Sequence, residues 1–105
     1  MNEIDDFLHV EHYFSSGVYA KRMQAEKGVT IGTHKHNFDH LSILASGSAS
    51  VTADGITTVY NGGQCIEIKA HVEHVIFALT DIVWFCIHAT NETDPDQIDQ
   101  TLIGE

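Results

Sequence analysis

Short apolar runs that end at turn signals make up most of this sequence. The runs are rich in Val, Ile, Phe and Tyr, which are typical of half-buried strands. The strongest hairpin signal is Asp54-Gly55, which separates two of the runs. From Leu41 onward the runs start every seven to eleven residues, which predicts an all-β sandwich or barrel. The predicted strands are Val18–Ala25, Leu41–Ser46, Ala49–Ala53, Ile56–Tyr60, Gln64–Lys69, Val75–Thr80 and Ile82–Ala89.

The two ends of the chain depart from this pattern. Residues 4–14 are compatible with a short helix or with an edge strand, and the pattern does not decide between them. The tail over 93–103 is predicted to be helical, because Asp94 can cap the helix and Pro95 suits its first turn.

Composition and charge fit a single globular domain. A chain of 105 residues that is 43% hydrophobic can bury one core but not two. We therefore expect one domain over 1–105, with a strand-rich body at about 18–90, an N-terminal segment at 1–17 and the helical tail. No apolar stretch approaches the roughly 18 residues of a membrane helix. The net charge of −10 provides no basic patch, so neither nucleic acid nor a membrane is an expected partner. Two cysteines and no secretory signal pattern predict reduced thiols in a cytoplasmic protein.

Histidine is the residue whose distribution is unusual. Five of the eight histidines lie between positions 34 and 74. His34 and His36 are two apart, so both point to one side of an extended chain, and His40 follows at the start of a predicted strand. His74 opens a later strand and can return to the same point in an antiparallel fold. Single histidines are most often solvated loop residues, but four imidazoles that converge on one point form a transition-metal site.

Two glycines flank the first three of these histidines at fixed spacings. Gly28 is followed after five residues by His34 and His36, after three more by His40, and after six more by Gly47. This spacing resembles the first motif of the small single-domain cupins, which has glutamate at the position that His40 occupies here.

A second, weaker motif lies fifteen residues further along the chain. Its leading glycine and its ligand histidine match Gly63 and His74. Its proline, second glycine and asparagine are replaced by Lys69, His71 and Ala78.

The resemblance covers residues 18–89 and implies a double-stranded β-helix, which is a small jelly-roll barrel with one metal ion bound inside. The ligands it implies are His34, His36, His40 and His74. The implied cofactor is one divalent transition metal per chain: Fe, Mn, Zn, Ni, Co or Cu. Four neutral imidazoles leave such a metal at its full positive charge, so the site should favour an anionic or chelating oxygen ligand.

His71 and His88 are the candidate catalytic residues beside these ligands, as groups that could move protons. We expect His71, three residues before His74, near the site or at the surface rather than on the metal. His88 shares a strand face with Trp84 and Cys86 by alternation, so it either lines the cavity or is a satisfied core histidine. The histidines at 9 and 12 lie outside the motifs and are assigned no function.

Two further features concern the ligand and the assembly. Lys21 and Arg22 are adjacent on a strand, so one of them should point inward and could anchor a carboxylate, but alternation alone does not choose between them. The runs Val75–Thr80 and Ile82–Ala89 are apolar on both faces, which predicts that the outer face is covered by a partner subunit or by the C-terminal helix. We expect a homodimer.

These observations predict a metal-dependent enzyme that acts on a small oxygen-bearing molecule. Dioxygenase-like chemistry is favoured because four protein ligands leave two positions open on a six-coordinate metal, while isomerase or lyase chemistry stays open. The alternatives are a module that binds or senses a ligand or metal without turnover, and a structural jelly roll with an idle metal. The sequence names neither the metal nor the substrate, because one fold of this kind serves many functions.

Overall fold

The computed structural model describes residues 8–32, 38–94 and 96, and within these ranges the chain forms nine β-strands and no helix. Two antiparallel sheets result, with the strand orders β1-β2-β9-β4-β7 and β3-β8-β5-β6. The all-β prediction is confirmed. The strands are β1 (Leu8–Ser15), β2 (Val18–Ala25), β3 (Thr30–Gly32), β4 (His40–Ser46), β5 (Ser48–Ala53), β6 (Ile56–Asn61), β7 (Gln64–Ile68), β8 (His74–Ala78) and β9 (Ile82–Ala89).

Every predicted strand is present, with ends that differ by at most two residues. The undecided N-terminal segment contains β1, an edge strand that pairs along its whole length with β2. The pattern missed β3, which is only three residues long and too short to show a period. No helix in the described part of the chain is long and apolar enough to span a membrane.

The turns between strands depend on backbone conformations that few residues adopt. The β5–β6 hairpin turns at Asp54 and Gly55, whose φ angles of 52° and 76° suit the predicted tight hairpin. Gly47 joins β4 to β5 with a φ of 88°, and a β-carbon there would collide with the carbonyl oxygen of Asp81. The glycine that closes the first sequence motif is therefore required by the fold.

The two sheets pack face to face around an apolar core. Trp84 of β9, Leu44 of β4 and Ile76 of β8 are almost completely buried and come from both sheets. Burial alternates along each of these strands, so every second residue points into the interior. This alternation also decides which polar side chains point into the interior.

Most of the predicted helical tail lies outside the described residues. At its start, Asp94 Oδ1 accepts the backbone N–H of Asp96 at 2.9 Å, which is the bond that an N-cap residue makes. Residues 95 and 97–103 are not among those described, so the helix stays a prediction.

Candidate metal centre

The inner face of the five-stranded sheet changes from apolar to polar along its strands. Residues paired across β2, β9 and β4 form successive rows on this face. The change takes place within one step of two residues, so one end of the interior is a packed apolar core and the other end is lined by polar side chains. The rows are Met23-Trp84-Leu44, then Lys21-Cys86-Ser42, then Tyr19-His88 with His40 beside them.

His40 opens β4 and contributes a buried imidazole to the polar end. Its ring packs on the ring of His88, with centroids 4.1 Å apart and an interplanar angle of 31°. Its Nε2 atom lies 3.5 Å from the hydroxyl of Ser42, which in turn donates to Cys86 Sγ at 3.6 Å. Polar and polarisable groups therefore surround His40 on the inner face.

His74 opens β8 in the second sheet and is also buried. Its Nδ1 atom lies 2.9 Å from the carbonyl oxygen of Val72. A backbone carbonyl can only accept, so Nδ1 carries the proton and the lone pair is on Nε2. Histidines that bind metals are usually oriented by such a bond on the other ring nitrogen.

One hydrogen bond ties the segment before His40 to the segment before His74. The Asp39 carboxylate accepts the backbone N–H of Ala70 at 2.7 Å. Both histidines are the first residues of their strands, and they are only 7% and 6% exposed. The contact between the two loops thus anchors both strand starts at the same end of the molecule.

The other two predicted ligands, His34 and His36, lie outside the described residues. Within the described ranges, no three His, Cys, Asp or Glu side chains are grouped closely enough to hold a metal. His40 and His74 nevertheless suit a metal, because both are buried imidazoles and the backbone orients the ring of His74.

The structure separates the two candidate catalytic histidines. His88 is 6% exposed and lies inside, on the face it shares with Trp84 and Cys86. His71 is exposed on the turn before β8, where its φ angle is 64°. This left-handed conformation favours glycine, and the second motif has a glycine at the position that His71 occupies here.

Sequence reasoning missed a contact between Tyr19 and His12. Tyr19 is fully buried, its ring stacks on His88, and its hydroxyl lies 2.6 Å from His12 Nδ1. Alternation along β1 was the available signal, because Leu8 and Phe14 share the face of His12. Alternation could not be applied to this segment, because the sequence left both a short helix and an edge strand open for residues 4–14.

Comparison with known proteins shows a likeness in fold. No known family profile matches the sequence, and no curated protein sequence gives a significant match. Among solved structures, KdgF from Halomonas sp. superimposes with a TM-score of 0.73 at 14% identity, over 89% of this chain and 87% of that chain. A cupin domain of an XRE-family transcriptional regulator from Enterobacter cloacae gives 0.68 at 11% identity, over 81% of this chain and 98% of that chain. A mutant of salicylate 1,2-dioxygenase from Pseudoaminobacter salicylatoxidans gives 0.72 at 14% identity, over 80% of this chain and 26% of that chain.

Proposed function

The chain has the fold of a small cupin domain, and we propose that it is a metal-dependent enzyme acting on a small oxygen-bearing organic molecule. The observation that carries the proposal is the pair of buried histidines, His40 and His74, which open two strands at the same end of the fold. Both occupy ligand positions of the cupin motifs.

The proposed ligands of one divalent transition metal are His34, His36, His40 and His74. Such a metal supplies Lewis-acid activation of an oxygen-bearing substrate and, if it is redox-active, reactivity toward dioxygen. The chain itself supplies orientation: the backbone holds the ring of His74, and the ring of His88 packs against that of His40. His88 is therefore the residue best placed to contact a substrate beside the metal.

Dioxygenase-like chemistry is the specific reaction that we propose first. Its support is the number of protein ligands, which leaves two positions open on a six-coordinate metal. The structural likeness to a salicylate dioxygenase is compatible with this choice, although at 14% identity it concerns the fold.

A second candidate function is a binding module that senses a small ligand or a metal without turnover. The observation in its favour is the likeness to a cupin domain of a transcriptional regulator, which the alignment covers almost completely, at 98%. The two functions share one cavity and differ only in whether a bound molecule is converted.

Metal analysis of protein purified without a His-tag under anaerobic conditions tests the proposal. We expect one divalent transition metal per chain, and oxygen uptake with at least one member of a panel of diketones, thiols and hydroxy acids. Ligand binding without uptake or conversion would favour the binding module. Failure to retain any of Fe, Mn, Zn, Ni, Co or Cu after loading would overturn the metal-dependent enzyme and a module that senses a metal.

The two runs that predicted a dimer, Val75–Thr80 and Ile82–Ala89, form β8 and β9 of different sheets and share no outer face. We also propose that the protein is a homodimer, built on the outer face of β9 and its neighbour β4. Leu41 pairs with Ile87 and Ile43 with Phe85 on this face, and Leu41 is 50% exposed. A contiguous apolar patch in the middle of a sheet is typical of an interface.

Light scattering at micromolar concentration should therefore give twice the chain mass. Leu41→Glu should convert the protein to monomers, because it places a charge in the apolar contact. Val59→Glu is the matched control, since Val59 is an exposed apolar residue on β6 of the other sheet. A monomer mass for the unchanged protein would reject the dimer.

A further inference from the structure

We propose that Lys21 is the anion-binding residue of the polar end of the interior, and that the ligand is a small acid with an oxygen donor at one end and a carboxylate at the other. Lys21 would hold the carboxylate while the oxygen donor faces the histidines. This inference deepens the proposed function and rests on it.

The alternation of β2 places Lys21 on the inner face. Tyr19, Met23 and Ala25 are buried at every second position of this strand. Lys21 lies between the first two, shares their face and is half-buried. Its long stem can follow the apolar wall while its ammonium group stays at the polar end of the interior.

The adjacent cation, Arg22, belongs to the opposite face. Its guanidinium lies 3.4 Å from a carboxylate oxygen of Glu11 and 3.3 Å from the side-chain oxygen of Gln24. Hydrogen bonds from Tyr13 and His9, together with the charge of Arg22, hold the pKa of Glu11 below its usual value, so it is an ionised partner at neutral pH. The contact of Arg22 with Glu11 on the outer face therefore identifies Lys21 as the inward-pointing member of this pair.

The neighbours of Lys21 connect it to the histidine site. Its partners across the strands are His12 on β1 and Cys86 on β9. Cys86 accepts the hydroxyl of Ser42, and that hydroxyl is 3.5 Å from His40 Nε2. Ser42 is thus two strands from Lys21, and His40 lies two residues further along β4, so the backbones of Lys21 and His40 are about 12 Å apart. The four-carbon stem of lysine and an acid of a few carbon atoms can bridge this gap together.

The positive charge of Lys21 also supports a role in binding anions. The chain carries fifteen acidic and five basic side chains, so a lysine on an inner face is unusual. Among the described residues, no other Lys or Arg lies on the inner face of the five-stranded sheet. With a divalent metal on the proposed imidazoles, Lys21 would add to the positive charge at the polar end of the interior, and this charge would favour anions.

The test compares two acids and two variants by titration of the cobalt-loaded protein, followed through its visible spectrum. Malate and lactate both offer a hydroxyl and a carboxylate to the metal, but only malate has a second carboxylate that can reach Lys21. Lys21→Met removes the charge at nearly constant length, and Arg22→Met is the matched control on the outer face.

We expect Lys21→Met to weaken malate binding about 10-fold, the usual scale for one hydrogen bond to a charged group. Lactate should change less than about 2-fold, and Arg22→Met should change neither.

Equal malate affinity in Lys21→Met and the parent would overturn the role of Lys21, and so would an equal loss for malate and lactate. If the protein takes up no metal, the proposed function fails separately. Lys21 is then tested in metal-free protein by the rise in melting temperature on adding succinate. A rise in the parent that is absent in Lys21→Met would retain the anion site, and no rise in the parent would reject it.

Discussion

Alanine at His74 is expected to lower the affinity for the divalent metal by more than about 100-fold, since losing an outer-shell partner alone costs about 10- to 100-fold. His74 is buried, and its bond to the Val72 carbonyl leaves the Nε2 lone pair as the donor. Removal of this ring would leave three of the four proposed ligands. Competition with a chelator of known affinity measures the loss.

His9→Ala is the matched control for this variant. His9 is exposed and lies 3.4 Å from Glu11 on the outer surface, so its removal should leave the metal affinity unchanged. The parent and the control should also gain thermal stability when metal is added, whereas His74→Ala should not. Full metal retention by His74→Ala would remove His74 from the ligand set.

Trp84→Ala is expected to destabilise the metal-free protein by about 3–5 kcal/mol, because it opens a large cavity in the core. Trp84 is completely buried on β9, between Met23 and Leu44. Urea denaturation measures the change in the free energy of unfolding.

Two comparisons make this prediction specific. Phe77→Ala, an outward position that is 39% exposed on β8, should cost less than about 1 kcal/mol. Trp84→Phe should cost much less than Trp84→Ala, because it keeps an aromatic ring and removes a buried Nε1–H for which the described residues provide no acceptor. Similar losses for Trp84→Ala and Phe77→Ala would contradict the assignment of the core.

Local signals were sufficient for the body of the fold. Each strand from β4 to β9 has its own alternation or apolar run, and β4, β5 and β6 each end at a turn that contains glycine. The edge strand β1 was harder, because its pattern is half apolar and only its pairing with β2 makes it a strand. A three-residue strand such as β3 shows no period at all.

The candidate site was predictable in composition but not in arrangement. Spacing along the chain identified His40 and His74 as ligand candidates. The packing of His40 on His88 was not predictable, because β4 and β9 are joined only in the folded sheet. Alternation fixes which residues share a face but not which face is inside, so Lys21 and Arg22 could be distinguished only through the burial of Tyr19 and the contact with Glu11.

The central position of β9 bears on how this protein folds during synthesis. β9 comes last among the described strands, yet it lies between β2 and β4 in the five-stranded sheet. Until residues 82–89 have left the ribosome, β2 and β4 have no common neighbour, and the nascent chain lacks both Trp84 for the core and His88 for the cavity. The smaller sheet, which contains the local β5–β6 hairpin, can form earlier, because its pairings do not involve β9. The five-stranded sheet must instead close in a late step dominated by contacts between distant parts of the chain, which makes folding slow and leaves unpaired strand edges exposed to chaperones until that step.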